Sequence, residues 1–268
     1  MMFNSPSQIA ELAIEAGVKK AKMSVPNILI LSFFAGAFIA FGFMLDIKVT
    51  TGTPAEWGGF TSFLGAAVFP IGLVLTLLAG GELLTGNFMT VPMAWFARKI
   101  SFGALLRNWI LVLIGNFIGS IFVAYVFGDL AQIANAGPVA DKVAAVATAK
   151  DSLHFGVAFA SAIGCNWLVC LGVWLNFGAK DFAGKILGIW FPIMTFVAIG
   201  FQHVVANMYI VPQAIFNGAE TWGHYFPNLI SVLLGNIVGG AIFVGLAYFI
   251  VYKKDIEASQ DAQVKKSA

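Results

Sequence analysis

Charged side chains are scarce in this sequence. Only 10% of its 268 residues are Asp, Glu, Lys or Arg, whereas about 25% is usual in a soluble domain. The hydrophobic fraction is 59% and the mean hydropathy is +0.88. Because so few polar groups cannot cover a folded surface in water, the composition excludes a soluble globular protein and indicates one embedded in a bilayer. The net charge of +2 is too small to indicate a nucleic-acid partner.

Motifs of catalysis and energy coupling are missing as well. The chain has no HExxH, no GxSxG, no paired aspartates within an apolar run and no nucleotide-binding loop, so an intramembrane enzyme or a primary pump has no visible machinery. We therefore expect no enzyme, no cofactor and no bound metal. A second Asn-Pro-Ala-like motif is also missing, which argues against a water or glycerol channel.

Cysteine is nearly absent. The two residues, Cys165 and Cys170, lie in one apolar run, and five positions apart on a helix they do not share a face well. We predict reduced packing residues and not a disulfide.

Six apolar runs are present, and each is long enough to cross a bilayer, which requires about 20 residues per helix. They cover 27–47, 60–80, 105–130, 153–177, 185–215 and 226–252. Polar residues interrupt the second at AGGELLTGNFM (79–89) and the fifth at GFQHVVANMY (200–209). We predict that helices 2 and 5 are discontinuous, because broken backbone at membrane depth is tolerated where it lines a wet cavity or is buried in protein.

The polar ends of the chain and the basic residues predict an orientation. Residues 1–26 read as an amphipathic segment with no cleavable signal, 27–252 as the transmembrane domain and 253–268 as a polar tail. On the side of the termini lie twelve basic residues: Lys19, Lys20, Lys22, Arg98, Lys99, Arg107, Lys180, Lys185, Lys253, Lys254, Lys265 and Lys266. On the other side lie three: Lys48, Lys142 and Lys150. The positive-inside rule therefore predicts that both termini are cytoplasmic.

The chain repeats itself at a spacing of 120. The stretch RNWILVLIGNFIGSIFVAY (107–125) matches PNLISVLLGNIVGGAIFVG (227–245). The same spacing pairs the following residues: Asn108 with Asn228, Asn116 with Asn236, Gly119 with Gly239, Glu82 with Gln202 and Asn87 with Asn207. Because each repeat holds three spans, the halves must cross the membrane in opposite directions. This predicts an all-α inverted repeat (3+3) whose two broken helices meet at a permeation or binding site near the midplane.

Polar residues near the breaks are the candidates for function. His203 lies deep in a span, which makes it a functional candidate by default, although it could merely hold the broken helices together. Its neighbour Gln202 can donate and accept hydrogen bonds without a charge. Thr85 could offer its hydroxyl to a ligand or satisfy free backbone groups, and Glu82 is expected to accept from amides at its break.

Two further polar residues lie in or near the fourth span. Asn166 is expected to act as a clamp that binds the break around His203. Lys150 is either a snorkelling lysine beside Asp151 or a cation in an outer vestibule that concentrates anions.

Three motifs, in order, resemble the formate/nitrite transporter family: GGELLTGNFM (80–89), GCNWLVCLGVW (164–174) and GFQHVVANM (200–208). The resemblance extends over about residues 5–252. It implies an aquaporin-like fold of six helices, assembled as a homopentamer with one pore per protomer in a bacterial or archaeal inner membrane. Family members pass small monovalent anions or their conjugate acids, such as formate, nitrite and hydrosulfide.

The resemblance also assigns roles to residues. His203 falls on the central pore histidine, Thr85 on the threonine that faces it, and Asn166 and Lys150 on further family positions. The implied hydrophobic constrictions are Phe69, Leu73, Leu83, Leu84 and Phe196. The chain departs from the family at Gln202, where glutamate is common, so a possible charge partner of the histidine is absent.

Formate transport coupled to protons at low pH is the leading hypothesis, with protons and the lipid bilayer as the other partners. Nitrite or hydrosulfide is the alternative within the family. A channel for a neutral solute such as water or ammonia, with a structural His203, is the alternative of another class.

Overall fold

A computed structural model of the chain describes residues 3–267, and these residues form helices and no strand. We number the helices α1 (Pro6–Lys22), α2 (Val25–Thr50), α3 (Gly59–Gly80), α4 (Leu84–Phe96), α5 (Phe102–Leu130), α6 (Gly137–Asp151), α7 (Phe155–Gly178), α8 (Phe182–Ile199), α9 (Val204–Phe216) and α10 (222–267). The last turns of α3 and α5 and the middle of α10 are π-helical.

Six of these helices are long and apolar enough to cross a membrane: α2, α3, α5, α7, α8 and residues 222–258 of α10. They agree with the predicted spans to within a few residues at most ends, because hydropathy alone determines which residues enter lipid. The fifth predicted run, 185–215, is divided between α8 and the shorter apolar helix α9.

Both predicted breaks are present, and a glycine with positive φ stands at each. Gly80 (φ +108) ends α3, and the chain is then extended until α4 begins at Leu84. Gly200 (φ +84) ends α8 in the left-handed conformation, and α9 begins at Val204. Glycine suits both positions because it lacks the Cβ that disfavours positive φ. The short helices α4 and α9 therefore start inside the protein.

The two halves of the repeat pack in the same way. Helix α5 lies along α2, and the first part of α10 lies along α7. At Gly119 the backbone approaches the Phe33 carbonyl so closely that a Cβ has no room, and Gly239 meets the Ile163 carbonyl in the same way. Small residues at a helix contact allow this approach in membrane proteins.

The N-terminal segment forms a capped amphipathic helix. Ser5 caps α1 in a capping box with Gln8. Its apolar face is buried, with Ile9, Ala10, Ala13 and Ile14 packed among α4, α7 and α10. Its cytoplasmic location, like that of the tail, stays a prediction.

Candidate permeation path

The two half-helices bring Thr85 and His203 together in the interior. Thr85 lies in the first turn of α4 and His203 is the N-cap of α9. Thr85 Oγ1 and His203 Nε2 are 3.0 Å apart, and both side chains are buried. His203 Nδ1 accepts the Ala206 N–H at 3.0 Å. Because Nδ1 accepts, the proton of a neutral imidazole sits on Nε2, which then donates to the threonine hydroxyl.

A cavity of about 560 Å³, which we call the Lys150 cavity, reaches His203 from one side. Its polar lining includes Lys150, Lys142, Asp46 and Gln202. The apolar part of its lining includes four aromatic residues: Phe43, Phe69, Phe196 and Phe201.

A second cavity of about 300 Å³, which we call the Lys20 cavity, lies beside the first break. Its lining includes Lys20, Glu82, Asn87 and Gly86, the residue that follows Thr85 in sequence. His203 lines the Lys150 cavity and the residue after Thr85 lines the Lys20 cavity, so each member of the Thr85–His203 pair is close to one cavity.

The residues expected to form constrictions divide between the cavities. Phe69 meets Phe196 edge-on at 5.7 Å between ring centroids, and Phe196 stacks on His203 at 5.6 Å. Leu73 and Leu83 line the Lys20 cavity. Leu84 lines neither cavity; it is buried, and Asn116 Oδ1 accepts its N–H.

A network of four residues surrounds the first break, and we call it the Lys20 network. Lys20 Nζ donates to Glu82 Oε1 at 2.8 Å, and Asn87 Nδ2 donates to Glu82 Oε2 at 2.9 Å. Asn87 also donates to Asn108 Oδ1, and Asn108 donates to the Lys20 carbonyl. Glu82 therefore accepts from one amide at its break, that of the Asn87 side chain, and its other carboxylate oxygen pairs with Lys20.

The second break carries a matching arrangement, the Lys150 network. Lys150 Nζ lies 3.4 Å from Gln202 Oε1, which also accepts from Asn207 Nδ2 at 3.0 Å. Asn207 donates to Asn228 Oδ1, and Asn228 donates to the Lys150 carbonyl. Three of these residues obey the spacing of 120.

The lysines do not obey that spacing, and sequence reasoning therefore missed Lys20. The spacing of 120 places Ala140 opposite Lys20, whereas the structural counterpart is Lys150. The sequence signal that could have found Lys20 is weak: a lysine preceding the first span of each half.

The aligned asparagines clamp the extended backbone at both breaks. Asn116 accepts from the Leu84 N–H and donates to the Glu82 carbonyl. Asn236 accepts from the Val204 N–H and donates to the Gln202 carbonyl. The repeat alignment identified these residues but gave them no role.

Asn166 is also a clamp, but at the other break from the one expected. Its Nδ2 donates to the Thr85 carbonyl at 3.2 Å and to the Asn236 carbonyl at 2.7 Å. It therefore supports the start of α4. The residue of α7 that supports the His203 break is Ser161, whose Oγ accepts from the Gln202 N–H. Asn166 lines neither cavity.

Lys150 points into its cavity and not away from the protein. Its Nζ lies 5.7 Å from the centroid of the Phe43 ring, within the distance at which a cation is attracted to an aromatic face. Burial lowers the pKa of Lys150 to about 8, although the nearby Asp46 and Asp151 carboxylates oppose this change. The amine is still mostly protonated at neutral pH.

Known proteins resemble this chain over nearly its whole length. The family described as "Formate/nitrite transporter" matches residues 7–250. The "Uncharacterized transporter YrhG" of Bacillus subtilis (strain 168) is 58% identical over 98% of this chain and 100% of its own length. The "Formate channel BtFdhC" of Bacillus thuringiensis is 52% identical over 95% of this chain and 98% of its own length.

A solved structure entitled "Pentameric formate channel with formate bound" superposes with a TM-score of 0.75. It is 33% identical in sequence, and the match covers 85% of this chain and 97% of that one. The expected fold class, six membrane helices in an inverted repeat, is confirmed by this likeness together with the helices described above.

Proposed function

The chain belongs to the formate/nitrite transporter family, and from this premise we propose that it carries formate across a membrane through the two cavities and the Thr85–His203 contact. It is a multi-pass membrane transporter of small anions and not an enzyme. The observation that carries the proposal is the 3.0 Å contact between Thr85 and His203. The Lys150 cavity reaches His203, and the Lys20 cavity reaches Gly86, the residue after Thr85.

Attraction of the anion is the first step. Lys150 is charged at neutral pH and lies in the larger cavity, so it raises the local concentration of anions near Gln202 and His203. Helices α4 and α9 also begin at the two breaks, where the dipoles of their N-termini favour negative charge.

Crossing the apolar zone is the second step. A bare carboxylate among Phe69, Phe196 and Leu73 would lose its hydration at a large cost in free energy. Loss of water also raises the proton affinity of the carboxylate. We expect the anion to accept a proton there and to pass as the neutral acid. The proton comes either from water that enters with the anion or from doubly protonated His203, which must then give up the Ala206 N–H at Nδ1. The Nε2–H of His203 and the hydroxyl of Thr85 orient the substrate by hydrogen bonds.

The assembly and the location belong to the proposal. The solved relative is pentameric, and we propose that this chain is a homopentamer in a bacterial inner membrane with both termini in the cytoplasm. The excess of basic residues on the side of the termini supports this orientation.

The test is flux into proteoliposomes of purified protein. Formate, nitrite and hydrosulfide are offered separately at a neutral and an acidic pH, and osmotic swelling is recorded in parallel. Formate entry that exceeds the others and increases at acidic pH supports the proposal. Preference for nitrite or hydrosulfide would change the substrate, and water entry without any anion would overturn anion transport.

A further inference from the structure

The Lys20 and Lys150 networks match in geometry but differ in charge. In the Lys20 network the lysine forms an ion pair with Glu82 at 2.8 Å, and the glutamate is almost fully buried. In the Lys150 network an amide, Gln202, takes the place of that carboxylate. Lys150 therefore contacts a neutral oxygen where Lys20 contacts a negative one.

The other charged groups of the two cavities do not remove this difference. Asp46 and Lys142 line the Lys150 cavity, and Lys19 lines the Lys20 cavity, so each cavity has two lysines and one carboxylate. Across the part of the chain that the structure describes, no carboxylate oxygen lies within 4.0 Å of Lys150 Nζ. Asp151 follows Lys150 in sequence but does not pair with it, and His203 is the remaining titratable group of that cavity.

From this difference we infer that Gln202 makes the two ends of the path unequal, so that the Lys150 end binds the anion while the ion pair keeps the Lys20 end neutral at its break. This inference rests on the proposed function and adds that the anion-binding site lies at one end of the path, the Lys150 end. An anion that enters the Lys150 cavity meets an ammonium group without a counter-charge in contact. At the other end it meets a lysine already satisfied by Glu82.

The expected effect is a difference in apparent affinity between the faces. An unopposed lysine at contact distance lowers the KM for formate at the Lys150 face about threefold to tenfold relative to the Lys20 face. Because passive transport obeys detailed balance, Vmax/KM without a membrane potential must be equal in the two directions. The face with the lower KM therefore also shows the lower Vmax.

Exchange of the two groups tests the inference. Gln202→Glu gives the Lys150 network an ion pair, and Glu82→Gln removes the one in the Lys20 network. Each variant reproduces at one break the chemistry that the other break already holds, so we expect both to fold. Uptake of labelled formate is measured over a range of concentrations, at zero membrane potential, in right-side-out and in everted membrane vesicles.

We expect Gln202→Glu to raise the KM about threefold to tenfold at one face only, and Glu82→Gln to lower it similarly at the opposite face. The double variant reverses the asymmetry of the unmodified protein. Glu56→Gln, which alters an exposed carboxylate in the α2–α3 loop, serves as the matched control and leaves both KM values unchanged.

The outcomes separate the inference from the proposed function. Formate flux with equal KM values at both faces, unaffected by the exchange, would overturn the inference and leave the proposed function intact. Absence of flux for formate, nitrite and hydrosulfide alike would overturn both. If Gln202→Glu does not assemble, as judged by size exclusion, Lys150→Met decides: it must raise the KM at the Lys150 face alone, and an unchanged KM refutes the inference.

Discussion

At the scale of single residues, His203 makes contacts with two different parts of the molecule. Its Nδ1 caps α9 by accepting from Ala206, and its Nε2 faces Thr85 of the other half. The first contact fixes the ring, and the second leaves one polar hydrogen where the two cavities approach each other. One side chain can therefore be structural at one nitrogen and functional at the other, so the two hypotheses for this histidine are compatible.

Replacement of His203 separates its two roles. We expect His203→Ala to abolish the increase of formate flux at acidic pH, because no titratable group then faces Thr85. Loss of the cap should destabilise the protein by about 0.5–2 kcal/mol. Flux in proteoliposomes at two pH values, with melting by intrinsic fluorescence, measures both. His154→Ala, at an exposed histidine that starts α7, is the control, and an unchanged pH dependence in His203→Ala would exclude the proton role.

A second pH effect is expected from the titration of Lys150 and not from that of His203. The pKa of about 8 means that Lys150 carries its charge below that pH and loses it above. We expect the KM for formate at the Lys150 face to rise as the pH increases through this value. Lys150→Arg keeps its charge over the whole range, so its KM should stay flat in the same assay. A KM that rises equally in both proteins would show that another group is responsible.

At the scale of elements, asparagines satisfy the backbone groups at both breaks. The extended residues between α3 and α4 and between α8 and α9 have backbone groups that helices would otherwise satisfy. Asn116 and Asn236 each accept from the first N–H of a half-helix and donate to the carbonyl two residues before it. Each clamp also donates to a neighbouring span, to the carbonyl of Ser32 or Ala162.

Removal of either clamp should therefore destabilise the protein to a similar extent. We expect Asn116→Ala and Asn236→Ala each to lower the free energy of unfolding by about 1–3 kcal/mol, since buried backbone groups lose their partners. Thermal unfolding in detergent, followed by size exclusion, measures the loss. Asn27→Ala, at an exposed asparagine in the first turn of α2, should change stability by less than about 0.5 kcal/mol. Equal effects at all three positions would contradict the clamp role.

The elements themselves were predictable and their contacts were only partly so. Hydropathy predicts the six spans and the repeat at 120 pairs Asn116 with Asn236, because both can be read directly from the order of residues in the chain. Lys20 could not be predicted from the repeat because its counterpart, Lys150, follows at a spacing of 130. The prediction for Asn166 names the wrong break, because the sequence does not show which of the two breaks a buried side chain of α7 contacts. Such choices depend on three-dimensional packing, which no periodicity reports.

At the scale of the whole molecule, large apolar side chains are exposed along the membrane-spanning helices. On α5, Ile110, Ile114 and Ile118 are exposed at successive helical turns, a stripe that would be unfavourable in water. Basic residues are absent from this stripe, whereas Arg98, Lys99 and Lys180 lie in connections between helices. The inverted repeat fixes how the halves face each other, but this asymmetry of charge must fix which end faces the cytoplasm.

Cysteine labelling tests that orientation directly. Cys165 and Cys170 are buried, so an impermeant thiol reagent should report only on introduced cysteines. We expect Glu56→Cys, in the exposed α2–α3 loop, to react in intact cells, and Lys180→Cys, in the exposed α7–α8 loop, to react only after the membrane is opened. The unmodified protein, with its two buried thiols, is the control. The reverse pattern would place both termini outside, and it would then assign Lys150 to the cytoplasmic end of the path and Lys20 to the external one.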